Sequence, residues 1–379
     1  MTLEINGTVA DGFEAVRDEF AAFVAGERED YEGQLCAWLG GRRVVDLWVG
    51  EEDALHGVFS SSKGAAHLVV ALLVQDGTLE LDREVASYWP EFAAAGKQAV
   101  TLRELITHRA GLVGADTPFA LAELADDRAI AARLAAQRPL WRPGAAFGYH
   151  ALTIAALTGE VVLRATGSTL QEVYEERIRA PYGLDFFLGL PEELEGRFRT
   201  VQPMLPTPVQ QAELDAALTG PDSLASIAFN QRGTQQGGLE EFVNLRLVRA
   251  GGQASAGGVA NARGLAGMYA AAISEIDGQA PLLKPDTIAE VGQIHSVGYE
   301  LVSRDHRQFG LGFQASADKY PFLGAGSFGH SGAGGSEAFA DPRAGLAYGY
   351  SRRRFAYPGG AAPENVRLAY AVHEAARGV

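Results

Sequence analysis

One cysteine in 379 residues, Cys36, leaves no partner for an internal disulfide and no thiolate set for a metal cluster. Its neighbours Leu35, Ala37, Trp38 and Leu39 mark it as a core residue. Basic residues are outnumbered by acidic ones, 32 against 47, for a net charge of −15. A surface of that sign repels nucleic acid and anionic membrane alike. No apolar run approaches the ~18 residues of a membrane-spanning helix. The opening MTLEINGTVADGFEAVRDEF has no basic segment followed by an apolar one, so no secretory signal is visible. The expectation is a cytoplasmic protein with neither nucleic acid nor membrane as partner. The eight histidines are scattered and form no cluster with Asp or Glu at ligand spacing, so neither metal nor cofactor is expected. Internal repeats and low-complexity linkers are also absent.

What the chain does have is apolar content, 47% of its residues, enough for one large domain or two. The densest stretch is Val58 to Leu79, VFSSSKGAAHLVVALLVQDGTL. From Lys63 to Val74 it is apolar nearly all round, the pattern of a helix inside a protein rather than on its surface, and Gly77 ends it. At its start stand Ser60 and Lys63. Residues three apart share a helix face about 5–6 Å from Cβ to Cβ, so the amine reaches the hydroxyl. A serine needs a neighbouring base to become a nucleophile, and burial makes a lysine one by disfavouring its charged form. Alternatively, Ser60, Ser61 and Ser62 cap a core helix and Lys63 extends to water. A second Ser-x-x-Lys, Ser316 with Lys319, lacks the apolar helix.

In chain order, residues 11–27 read as an amphipathic helix with Phe13, Val16, Phe20, Phe23 and Val24 on one stripe. Residues 33–39 and 43–49 read as strands around the turn signal Gly40-Gly41. Thr101 to Leu112 reads as a helix ending at Gly111. Helical patterns dominate from about 115 to 290, and another helix spans 261–272. Strands return at 311–315, 327–330, 337–340 and 345–350, before a last helix over 364–376. The expectation is an α+β fold. An antiparallel sheet lobe from residues 1–80 and 290–379, flanked by N- and C-terminal helices, carries an inserted all-helical lobe, residues 81–289. A site is expected in the cleft between them.

Two further segments carry candidate chemistry. Trp141 to Leu152, WRPGAAFGYHAL, turns at Pro143-Gly144 and presents Tyr149 before an apolar helix. Phe328 to Ser336, FGHSGAGGS, puts small residues on a strand edge, where a ligand approaches the backbone closely and N–H groups point at it.

With FSSSK, PGAAFGYHALT and GHSGAGGSEAFADPRAGLAYGY in this order, joined by LVQDGTLELD, TLRELITHRAGL and ANARGLAGMYAA, the chain resembles the serine β-lactamase and penicillin-binding-protein superfamily. Within it the class C-like branch that includes the family VIII carboxylesterases is most similar. The matching pieces span roughly residues 30 to 352. The resemblance implies Ser60 as acyl-accepting nucleophile, with Lys63 and Tyr149 as its bases. It implies an oxyanion hole from the backbone N–H groups of Ser60 and Ala333. His330, Ser331 and Gly332, matching a Lys-Thr-Gly element, would meet the substrate together with His150. Two departures bear on the activity. The third position of the Tyr-x-Asn element is Ala151, which lacks the amide handle for a peptide-like substrate. His330 replaces a permanently charged lysine. Both point to an ester, whose alkoxide leaves more readily than an amine, as the small-molecule substrate. A β-lactamase, a D,D-peptidase, an acyltransferase and a non-catalytic binding protein are the alternatives.

Three motifs have competing readings. GHSGA at 329–333 nearly fits a nucleophile elbow, but a strand and turn follow it where that motif requires a helix. GAGSFG at 324–329 fits a dinucleotide glycine pattern without its βαβ surroundings. His108 in THRAGL reads as a structural hydrogen-bonding residue.

Overall fold

The computed structural model describes residues 3–232 and 238–379. Its centre is a nine-stranded sheet. In chain order its strands are β1 (Asn6–Val9), β2 (Gly33–Leu39), β3 (Arg42–Val49), β4 (Ser296–Tyr299), β5 (His306–Phe309), β6 (Gln314–Ala315), β7 (Phe328–Ser331), β8 (Glu337–Asp341) and β9 (Leu346–Arg352). Their spatial order is β1-β3-β2-β9-β8-β7-β6-β5-β4, with antiparallel pairing throughout. The N-terminal hairpin and the C-terminal strands meet where β2 pairs with β9, Leu35 opposite Tyr350 and Leu39 opposite Leu346. The α+β expectation holds.

Alternation along β2 explains the two layers covering the sheet. Leu35 and Ala37 face one side, packed among Phe13, which precedes α1 (Glu14–Val24), Val16 and Phe20 of α1, and Leu368 and Val372 of the C-terminal helix (Asn365–Gly378). Cys36 faces the other side and meets Ala262 and Ala266 of the helix Ala262–Ile273. That helix, expected within the helical insert, lies directly on the sheet. Gly349 of β9 permits the approach, since a Cβ there would stand 2.6 Å from the Ala266 nitrogen.

The apolar helix is Ser62–Gln75, labelled α2, and every residue from Ser62 to Leu73 is buried. It runs between the sheet at β7 and the helices Ile154–Thr166 and Leu170–Tyr174. Burial on both sides accounts for the missing polar face, each enclosed Leu or Val contributing roughly 1.5–3 kcal/mol. Ser60 lies in a separate 3₁₀ turn, Phe59–Ser61, just before α2.

Elsewhere boundaries shift. The helix expected over Thr101–Leu112 is only Leu102–Ile106, opened by a Thr101–Glu104 capping box. It stops because His108 takes a left-handed φ of +63°. The strand expected at 311–315 shrinks to Gln314–Ala315, and β1, β4 and β5 come in addition to the strands expected. Among the described residues no helix is long and apolar enough to cross a membrane.

Candidate active site

Three serines precede Lys63, and the fold uses two of them structurally. Ser61 Oγ donates to the His330 carbonyl at 3.1 Å and pairs with Ser336 Oγ at 2.9 Å. Ser62 Oγ donates to the Phe59 carbonyl and accepts the Gly258 N–H at 2.9 Å. Neither Ser61 nor any other side chain caps α2. Ser60 alone turns into a cleft of about 540 Å³. Phe59 beside it has a φ of +46°, uncommon for a residue with a side chain, and its buried ring packs edge-on against Phe355 at 5.4 Å.

Lys63 is fully buried rather than extended to water. Its Nζ donates to the carbonyls of Ala151 at 2.7 Å and Ser255 at 2.8 Å, and stands 3.2 Å from Ser60 Oγ. Desolvation holds the amine well below its ordinary range, opposed only in part by Asp127. A neutral amine has two hydrogens and one lone pair. Carbonyl oxygens only accept, so once the amine is neutral they can take both hydrogens and leave its lone pair for the Ser60 hydroxyl.

Ser255 sits on a tightly held loop. Asp127 Oδ2 accepts the Ala254 N–H and a Gln171 amide, Gln253 Nε2 donates to the Leu152 carbonyl, and Ser255 Oγ accepts the Ala155 N–H. The sequence shows this only as the glycine-rich run QASAGG.

Tyr149 lines the same cleft from the other side, its phenol close enough to feel the Ser60 hydroxyl. Lys63 Nζ lies 4.9 Å from the centre of its ring, which also stacks against Phe309. Burial, with the Glu300 carboxylate nearby, pushes the phenol above its ordinary range, outweighing the Ser60 hydroxyl and the charge of Arg307. Glu300 also fixes the backbone. Buried itself, it accepts the Tyr149 N–H, the Val302 and Ser303 N–H groups and the Ser303 hydroxyl. No local motif in GYELVSRD announces that role.

The third edge is the turn after β7. Gly332 N–H donates to the Ser336 carbonyl at 2.9 Å, and Gly335 N–H to the Gly332 carbonyl at 3.0 Å. A Cβ on Gly332 would lie 2.1 Å from the Val58 carbonyl, so only glycine fits. Ala333 lines the cleft opposite Ser60, its carbonyl held by the Gly360 N–H at 3.1 Å. The N–H of Ser60, in the first turn of its 3₁₀ segment, has no intrahelical acceptor to satisfy. Serine, buried amine, phenol and a small-residue strand edge around one cleft suit acyl transfer.

The chain matches the β-lactamase family over residues 20–372. It belongs to that family. Similar solved structures include EstA from Arthrobacter nitroguajacolicus Rue61a, 42% identical with a TM-score of 0.90, covering 98% of each chain. A family VIII carboxylesterase is 31% identical with a TM-score of 0.87, covering 98% of this chain and 100% of that one. The Esterase/beta-lactamase LipL of Mycobacterium tuberculosis is 29% identical over 388 residues, 93% of this chain and 83% of LipL.

In this β-lactamase-family protein three of the four expected substrate contacts, His150, His330 and Gly332, lie outside the cleft lining. His150 is fully buried and takes no part in the cleft lining; its Nδ1 donates to the Gly148 carbonyl at 2.7 Å and its Nε2 accepts the Leu112 N–H at 3.1 Å. The backbone doubles back at His108, and the imidazole fills the bend. His330 is buried too, stacked against Tyr149 at 6.0 Å with Nδ1 donating to the Ser331 carbonyl, and burial holds it well below its usual pKa. Alternation on β7 gives Ser331 the cleft side, where its hydroxyl donates to Gln314 Oε1 at 3.1 Å. Gly332 lies against Val58 rather than in the lining. Ser331 donates its hydroxyl to the Gln314 amide oxygen, and among the described residues no basic side chain hydrogen-bonds to it. Lys319 of the second Ser-x-x-Lys reaches the Ala361 carbonyl at 3.4 Å, not Ser316. Among the described residues no group of His, Cys, Asp or Glu is placed to hold a metal ion.

Proposed function

We propose that the protein is a serine carboxylesterase working through an acyl-enzyme on Ser60. The observation that carries this reading is the environment of Lys63, a buried amine whose hydrogens are claimed by two carbonyls. Its lone pair takes the Ser60 proton as Oγ attacks the ester carbonyl. The Ser60 and Ala333 N–H groups stabilise the oxyanion, such donors contributing about 3–4 kcal/mol each. The proton then passes through Lys63 and Tyr149 to the departing alkoxide. For deacylation the same pair removes a proton from water, which attacks the acyl carbonyl and regenerates Ser60. Which member holds the shared proton at each step is a property of the coupled pair.

Esters are favoured over amides for two reasons. Ala151 offers Lys63 a backbone carbonyl and the substrate no side-chain amide. His330, neutral and behind Tyr149, supplies no cation for an anionic β-lactam. The esterase names among similar proteins agree. Phe229, Leu239, Phe355 and Pro358 give the cleft an apolar end for the acyl chain.

The test is covalent labelling with a fluorophosphonate, followed by turnover of p-nitrophenyl esters of graded acyl length and of a chromogenic cephalosporin. Labelling at Ser60, lost in Ser60→Ala, with esters turned over far faster than the cephalosporin, is the expected result. Activity surviving in Ser60→Ala but lost in Ser331→Ala overturns the assignment. Faster cephalosporin turnover makes it a β-lactamase, and ester cleavage accelerated by an added alcohol makes it an acyltransferase.

A further inference from the structure

Three buried histidines surround the back of the Lys63–Tyr149 pair, and each belongs to a segment that positions one part of the site. His67 lies on α2, one turn beyond Lys63, edge-on to Phe313. His108 grips the Tyr149 segment from both sides. Its carbonyl accepts the Gly148 N–H at 3.1 Å, and its Nδ1 accepts the His150 N–H at 3.2 Å. His330 lies on β7, next to the strand edge that leads to Ala333. The rings of His108 and His330 stand 5.3 and 6.0 Å from that of Tyr149.

Their backbone partners fix the tautomers. His108 Nδ1 accepts, so its Nε2 carries the hydrogen. His330 Nδ1 donates to the Ser331 carbonyl, so its Nε2 is a bare acceptor. Both Nε2 atoms, and both nitrogens of His67, are buried without a well-formed hydrogen bond to a protein group among the described residues. The Gly312 backbone lies beside the His67 ring but does not complete such a bond. That leaves two donors and two acceptors behind the catalytic pair. A buried donor or acceptor left unpaired is costly, and the usual remedy in a polar interior is ordered water making two to four hydrogen bonds. A metal is no remedy, because among the described residues no ligand group is assembled there.

We propose that His67, His108 and His330 form a single hydrogen-bonded network closed by internal water, and that it keeps Lys63 in register with Tyr149. The three are positioning residues, and their effect on turnover rests on the esterase reading above. All three rings remain neutral, because burial disfavours an imidazolium at each. The network thereby links α2, the Tyr149 segment and β7 without placing a cation beside the amine.

The test has two arms on the full chain. Long-range ¹H–¹⁵N spectra of ¹⁵N-histidine-labelled protein at neutral pH should show His108 as the Nε2–H tautomer, His330 as the Nδ1–H tautomer, and His67 neutral. The opposite tautomer at His108 or His330, or an imidazolium at any of the three, overturns the proposal. In the kinetic arm, His67→Leu should lower kcat about tenfold at nearly unchanged KM. His67→Gln, which keeps a donor and an acceptor, should recover most of that loss. Wild-type kcat in His67→Leu, or no recovery in His67→Gln, also overturns it. Should His67→Leu fail to fold, the wild-type spectra decide. Ester turnover by the wild type and its loss in Ser60→Ala judge the esterase reading separately, and the tautomers are readable whether or not esters are cleaved.

Discussion

Lys63 Nζ stands 3.2 Å from Ser60 Oγ, and its other two hydrogen-bond partners are carbonyl oxygens, the arrangement that the proposed base requires. Lys63→Met should therefore lower kcat for a p-nitrophenyl ester by about 10³-fold or more, as removal of a catalytic base does in serine hydrolases. Lys63→Arg should be equally inactive, because a guanidinium stays charged and donates only. Steady-state kinetics with a thermal melt of each variant checks this. Appreciable turnover in Lys63→Arg would mean that a cation, not a base, is needed there.

The same burial sets the pH profile. The amine works when unprotonated, and its pKa is held well below 10.5. Activity should rise with pH as Lys63 loses its proton, with the midpoint of that rise below the ordinary lysine range. Tyr149 is pushed the other way, so its ionisation should not cut activity until pH exceeds the ordinary phenol range. A kcat/KM profile recorded over about pH 5–10.5 tests both limbs. An acid limb with its midpoint at the ordinary lysine pKa of about 10.4 would contradict a desolvated amine.

Much of this site was legible because its chemistry is local or its context unusual. Ser60 and Lys63 are three residues apart on a segment too apolar for a surface, and that combination marks a buried amine. Tyr149 and the 329–333 edge emerged from their order along the chain. Side-chain direction was harder to read. His150 and His330 both adjoin functional residues in sequence, yet one fills a backbone bend and the other lies on the inner side of β7, where alternation turns Ser331 outward. Glu300 and Ser255 left no trace because their partners lie 151 and 192 residues away. The left-handed turn at His108 was hidden by helix-forming neighbours, and it cut short the helix expected there.

Gly332 tests the oxyanion turn. An alanine there places a methyl 2.1 Å from the Val58 carbonyl, a backbone atom that cannot swing aside. The strand edge must retreat and carry the Ala333 N–H with it. Gly332→Ala should lose about 1–3 kcal/mol of stability and lower kcat by roughly tenfold to a hundredfold. Denaturant unfolding and ester kinetics measure the two effects. Unchanged kcat would remove Ala333 from the oxyanion hole.

His150 makes the contrasting case. Its ring satisfies the Leu112 N–H and the Gly148 carbonyl, and it has no surface in the cleft. A leucine there leaves both backbone groups buried and unpaired, at about 1–3 kcal/mol each. His150→Leu should melt well below the wild type. Assayed below its melting temperature, it should bind short esters with KM within about twofold of the wild-type value, because nothing that touches substrate has been removed. Asn or Gln at the same position should recover part of the stability by restoring one hydrogen bond. A large rise in KM with an unchanged melting temperature would instead make His150 a substrate contact and require the bend at His108 to open in solution.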